Sequence, residues 1–70
     1  MNVMENAKLK GVTVKNHNNG WRVMFGDNLL FDTTKTETIE GFLNRCELVT
    51  RPDCEGLKID GFMHFWIHKA

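Results

Sequence analysis

Two histidines four positions apart, His64 and His68, are the residues of this sequence whose type and spacing come nearest to a metal site. Histidine is the commonest metal ligand, and on a helix this spacing would place both imidazoles on one face. On a strand the same spacing spans about 13 Å, whereas each ligand of a zinc ion lies about 2 Å from the metal. The apolar and aromatic residues between them, which follow an Asp60-Gly61 turn signal, favour a strand. We therefore expect no metal site and no cofactor.

The cysteines, Cys46 and Cys54, add little to a metal or catalytic interpretation. Seven residues separate them, whereas paired zinc ligands are typically separated by about two to four. Cys46 lies on an apolar stripe and is expected in the core, and Cys54 lies in a charged segment with no adjacent base. The even count permits a disulfide but does not favour one without a secretory signal.

Nucleophilic and acid–base catalysis also lack the residues they require. The chain contains no serine and no glycine-rich phosphate loop. Glu37, Glu40 and Glu47 lie on or near the solvent side of a predicted helix, where a solvated face explains them. A chain of 70 residues can hardly enclose a pocket of roughly several hundred Å³. We predict that the protein is not an enzyme.

Composition indicates a folded chain without a strong charge preference. Apolar residues make up 41% of the sequence, and there is one proline. Nine basic residues balance nine acidic ones, which weakens the case for a nonspecific polyanion binder. No apolar run approaches the roughly 20 residues of a membrane span, and no secretory h-region is present. We therefore expect a cytoplasmic protein without a membrane partner.

The chemistry-bearing residues must be positioned by a small α+β fold. In chain order, the predicted elements are strands near residues 12–15, 21–25 and 29–32, a helix over residues 36–48, and strands at residues 57–59 and 61–69. This order, β-β-β-α-β-β, predicts an antiparallel sheet of a three-stranded meander plus a C-terminal hairpin, with one α-helix packed on one face. Residues 1–9 lack periodicity and are predicted to be a flexible N-terminal arm. Residues 10–70 are predicted to form one compact domain.

The last strand is apolar or aromatic on both faces. Simple alternation would turn Met63, Phe65 and Ile67 towards the helix. It would leave the alternate residues, Phe62, His64, Trp66 and His68, on the opposite face for a partner. Exposed aromatic surface usually marks a contact site, although a covering loop or arm would also account for it. We predict a small binding or regulatory protein that contacts a protein partner, or a second copy of itself. The predicted contact residues are Trp66, Phe62, His64 and His68, with Trp21 from the second strand.

A nucleic-acid-binding module is the alternative. A meander followed by a helix is the layout of some domains that place a sheet in the DNA major groove. Thr13, Lys15 and Arg22 would share one face of the meander, and Lys10 precedes it. Three cations in a chain of zero net charge are few for binding phosphates, so this alternative ranks second.

Overall fold

The computed structural model describes residues 2–68, which form two helices and six strands. The elements are α1 (Val3–Leu9), β1 (Thr13–His17), β2 (Gly20–Phe25), β3 (Asn28–Thr33), α2 (Thr36–Asn44), β4 (Cys46–Arg51), β5 (Cys54–Ile59) and β6 (Phe62–His68). The strands form two antiparallel sheets, β1-β2-β3 (the first sheet) and β4-β5-β6 (the second sheet). The predicted α+β class and N-terminal meander are confirmed. The end of the last predicted strand, residue 69, lies outside the described residues.

Helix α1 occupies the segment in which a flexible arm was predicted, so the prediction of a single helix is wrong. Its first turn is capped by Asn2, whose side-chain oxygen accepts a hydrogen bond from the backbone N–H of Glu5 at 2.8 Å. Ala7 is buried in the core, and Asn6 donates a hydrogen bond to Asn44 of α2 at 3.3 Å. A helix of seven residues is unstable in isolation, so these tertiary contacts hold it in place.

The second difference concerns residues 46–51, which form β4 instead of the end of a helix and the start of a loop. Cys46 fits the helical spacing of the preceding apolar residues, but Cys46 and Leu48 also fit the alternation of a strand. The β-branched residues Val49 and Thr50 then favour the strand. The C-terminal hairpin is therefore a three-stranded meander, and α2 ends earlier than predicted.

Two tight turns have the backbone conformation that their sequences predict. Asn18 and Asn19 join β1 to β2 with φ values of 48° and 62°, and Asp60 and Gly61 join β5 to β6 with 53° and 84°. Asn, Asp and Gly tolerate positive φ at low cost, and consecutive positive φ values match the twist of hairpin strands. These turns fix the register of β1 with β2 and of β5 with β6.

One core joins both sheets and both helices. The largest fully buried side chains are Phe25, Ile39, Leu43, Leu57 and Val23, which come from β2, α2 and β5. Helix α2 packs on the first sheet through Phe42, whose ring meets Phe31 edge-on with centroids 5.0 Å apart. On the second sheet, the face that carries Leu57 is turned to this core. The opposite face is called the outer face below.

Candidate protein-interaction surface

A β-bulge near the start of β6 changes which of its residues share a face. Lys58 of β5 pairs with Met63, but the preceding residue, Leu57, pairs with Phe65. His64 is therefore an extra residue on β6, and the regular alternation of side chains is broken there. The prediction that Met63 lies with Phe65 on the helix side is wrong for this reason.

Met63 and Trp66 instead lie together on the outer face, where they cover Gly56. Gly56 is the cross-strand partner of Trp66. A Cβ on Gly56 would lie 2.8 Å from Sδ of Met63 and 2.9 Å from Cε3 and Cζ3 of Trp66, closer than side chains tolerate. The glycine thus allows the indole to lie against the β5 backbone. An aromatic residue that covers a cross-strand glycine also stabilises the sheet, so Trp66 has a structural role.

Arg51 of β4 completes this arrangement. Its guanidinium carbon lies 5.7 Å from the centroid of the Trp66 ring, at the distance of a cation–π contact. The indole is thus held between neighbours on the sheet, yet 43% of Trp66 remains exposed. The outer face carries an ordered aromatic ring beside a cation, and Lys58 adds a second positive charge on the same face.

The structure does not bring the five predicted contact residues onto one face. Trp66 and His68 pair with Gly56 and Cys54 on the outer face, His64 is the bulge residue, and Phe62 pairs with Ile59 on the face that carries Leu57. Phe62 is 73% exposed at the start of the strand, and His64 and His68 are exposed within it. Trp21 lies on β2 of the first sheet, half-buried and packed against the core. It borders a small apolar cleft of about 100 Å³ that also involves Ile39. Trp21 and Trp66 therefore do not form one surface.

The residues of the nucleic-acid alternative are also divided. Lys15 pairs with Arg22 and Thr13 with Met24, so these residues share a face of the first sheet, as the sequence predicts. Lys10 does not join them, because its ammonium group donates a 2.6 Å hydrogen bond to the backbone carbonyl of Cys46.

Arg22 is already engaged within the first sheet. Its Nε and Nη2 donate hydrogen bonds to the carboxylate of Asp32 at 2.9 and 3.1 Å. These hydrogen bonds hold the pKa of Asp32 below its usual value and raise the pKa of Arg22. Nη2 also lies 3.0 Å from Nε2 of His17. The charge of Arg22 is therefore largely balanced by Asp32 before any phosphate approaches.

The structure bears on two of the chemistries considered from the sequence, a reactive Cys46 thiol and a metal site. Cys46 is buried, and burial raises the pKa of its thiol, which disfavours the reactive thiolate. Across residues 2–68, no three His, Cys, Asp or Glu side chains lie close enough together to hold a metal ion. Neither helix in this range is long and apolar enough to cross a membrane.

Comparison with known proteins adds no family assignment. No protein-family model, no curated protein and no solved structure has a significant match to this chain.

Proposed function

We propose that this chain is a small non-enzymatic binding or regulatory protein that contacts a protein partner through β6 and the outer face of the second sheet. The observation that carries the proposal is Trp66, which is held in place by Gly56 and Arg51 but is 43% exposed. The cytoplasmic location expected from the sequence is part of this proposal.

An ordered, exposed tryptophan suits protein recognition for two physical reasons. Indole presents a large apolar area with one hydrogen-bond donor, and tryptophan is enriched among the residues that contribute most binding free energy. Because the ring of Trp66 is already fixed, a partner loses little side-chain entropy when it covers the ring. Phe62, at the start of the same strand, is a second exposed aromatic group, on the face opposite Trp66.

The charges around the indole define the chemistry of the expected partner. Arg51 and Lys58 lie on the outer face with Glu47, which pairs with Lys58 across the strands. The formal charge of this set is +2 − 1 = +1. A partner with an apolar pocket for the indole and a carboxylate near Arg51 would complement this surface.

Nucleic-acid binding through the first sheet has less support. Asp32 balances Arg22, and Lys10 lies away from the face that carries Lys15. The module would have to bind phosphates with the remaining charge of Lys15 and the hydroxyl of Thr13, in a chain of zero net charge.

Comparative affinity capture with matched surface variants tests the protein-binding proposal. The tagged wild type, Trp66→Ser and Arg51→Glu should differ in the proteins they retain, and the two variants should lose the same partner. Leu29→Ser is the control because Leu29 is also exposed, at 52%, but lies on the first sheet. Circular dichroism confirms that each variant is folded. Equal retention by the wild type, Trp66→Ser and Arg51→Glu would show that this surface is not the contact site.

A titration with nucleic acid tests the alternative. Random single-stranded DNA, duplex DNA and RNA are added to the wild type and to Lys15→Glu at two salt concentrations. Our proposal expects no binding. Binding that weakens steeply with salt and is lost in Lys15→Glu would instead support the first sheet as a nucleic-acid interface.

A further inference from the structure

Strand β6 differs from the other five strands in its lack of formal charge. It contains no Asp, Glu, Lys or Arg over seven residues, whereas every other strand has at least one and is five or six residues long. The charged residues in the other strands are Lys15 in β1, Arg22 in β2, Asp32 in β3, Glu47 and Arg51 in β4, and Glu55 and Lys58 in β5. Proteins usually place charges or proline on exposed edge strands because an apolar edge pairs with other chains.

The position of β6 makes this absence of charge significant. It is an edge of the second sheet, and in residues 2–68 no hydrogen bond joins it to any segment other than β5. The other edge strands have neighbours: α1 contacts β1, and α2 contacts β3. Lys10 donates a hydrogen bond to the β4 backbone at Cys46. Outside its own sheet, β6 meets the β2–β3 turn through a side chain, Ile67 against Gly26, which leaves its backbone edge open. The outer edge of β6 therefore presents backbone N–H and C=O groups that another strand could pair with.

We infer that a second copy of this chain pairs with this edge, so that two β6 strands lie antiparallel about a twofold axis and join two second sheets into one six-stranded sheet. This inference rests on the proposed function, since it names the partner of the same strand. In a contact about a twofold axis, the same residues of the two copies face each other. A strand with net charge would therefore repel its own copy. β6 meets its copy without like-charge repulsion at neutral pH, with both histidines counted as neutral.

The bulge limits where the two strands can pair. The extra residue, His64, interrupts the regular edge, so the pairing is expected to be centred on Trp66, with Phe65 opposite Ile67 of the other copy. A twofold axis perpendicular to the sheet keeps the outer faces of the two copies on the same side, so the two Trp66 rings lie near each other across the axis. The paired segment is short, so the interface falls at the small end of specific interfaces and the dimer is concentration-dependent.

Sedimentation equilibrium on the full chain measures the association. Protein concentrations from about 10 µM to about 1 mM cover the dissociation constants of weak dimers. Over this range the average mass of the wild type should rise from 8.1 kDa towards twice that value. Over the same range, the NMR signals of the backbone amides of residues 65–68 should shift with concentration. The amides of β1, an edge strand of the first sheet, should not.

Two opposite charge variants identify the surface involved. His64→Lys/His68→Lys and His64→Glu/His68→Glu change exposed positions on β6, so both should fold and remain monomeric alone. An equimolar mixture of the two should recover the dimer, because opposite charges then face each other across the pairing. The control, Asn16→Lys/Thr38→Lys, introduces two lysines at exposed positions outside β6 and should dimerise like the wild type.

Three results would overturn the inference: a wild type that stays at 8.1 kDa up to about 1 mM, assemblies that grow beyond a dimer, or a dimer that both β6 charge variants retain. If a variant fails to fold, the concentration-dependent amide shifts of the wild type still test whether β6 is the interface. A monomeric wild type would leave the proposed function standing, because the loss of a captured partner in Trp66→Ser does not require self-association. A wild type that stays monomeric but binds an added strand-forming peptide of unrelated sequence would also overturn the inference, because the partner of β6 would then be a strand from a different protein.

Discussion

At the residue scale, Gly56 controls the position of the proposed contact residue. The indole of Trp66 and the thioether of Met63 occupy the space that a side chain at position 56 would need. We expect Gly56→Ala to lower the free energy of unfolding by about 1–3 kcal/mol, the usual cost of overpacking. It should also increase the accessibility of Trp66. Urea denaturation and acrylamide quenching in a Trp21→Phe background measure the two effects.

Gly41→Ala is the matched control for that substitution. Gly41 lies within α2, and a Cβ there would have no heavy atom within 4 Å. Because glycine in a helix costs conformational entropy, we expect Gly41→Ala to raise the free energy of unfolding by about 0.5–1 kcal/mol. If both substitutions stabilise the protein equally, the indole does not lie against Gly56.

At the scale of the elements, α1 depends on its N-cap and on its contact with the core. We expect Asn2→Ala to lower the free energy of unfolding by about 1 kcal/mol, because the N–H of Glu5 loses its acceptor. Thr38→Ala, at an exposed position of α2, should change it by less than about 0.5 kcal/mol. A flexible N-terminal arm would show no cost for Asn2→Ala, so urea denaturation of the two variants distinguishes the two descriptions.

The sequence signal for α1 is a helix cap, not apolar periodicity. Asn2 and Glu5 have the three-residue spacing of a capping box, and Val3 and Ala7 lie one helical turn apart. The strand β4 was harder to predict, because Cys46 fits both a helical and a strand pattern over a short window. The hairpin turns were predictable because Asn18-Asn19 and Asp60-Gly61 specify positive φ locally.

At the scale of the whole molecule, the composition of the candidate surface could be predicted, but its geometry could not. The aromatic character of β6 is visible in the sequence, and so are its four predicted contact residues. The face on which Met63 lies depends on a one-residue bulge, which has no distinct sequence signature here. The separation of Trp21 from Trp66 follows from the division of the strands into two sheets. Which strands pair within a sheet is decided by tertiary packing between segments far apart in sequence, not by local preference.

Two ion pairs couple the stability of the whole fold to pH. Arg22 binds Asp32 across the first sheet, and Arg45, at the end of α2, binds Asp60 in the β5–β6 turn at 2.9 Å. Each arginine donates hydrogen bonds that hold the pKa of its aspartate below the usual value. The unfolded chain therefore takes up protons first as the pH falls. The stabilisation is present above the unfolded pKa and is lost as the pH falls through the folded one.

We therefore expect the Tm of the wild type to decrease as the pH falls below about 4, and the decrease to be smaller in Asp32→Asn/Asp60→Asn. Asn suits position 60 because it tolerates the φ of 53° found there. Asp27→Asn is the control, since Asp27 is exposed in a turn and forms no ion pair within the described chain. Its acid profile should follow that of the wild type. Identical profiles for the double variant and the wild type would show that these pairs do not connect acid to unfolding.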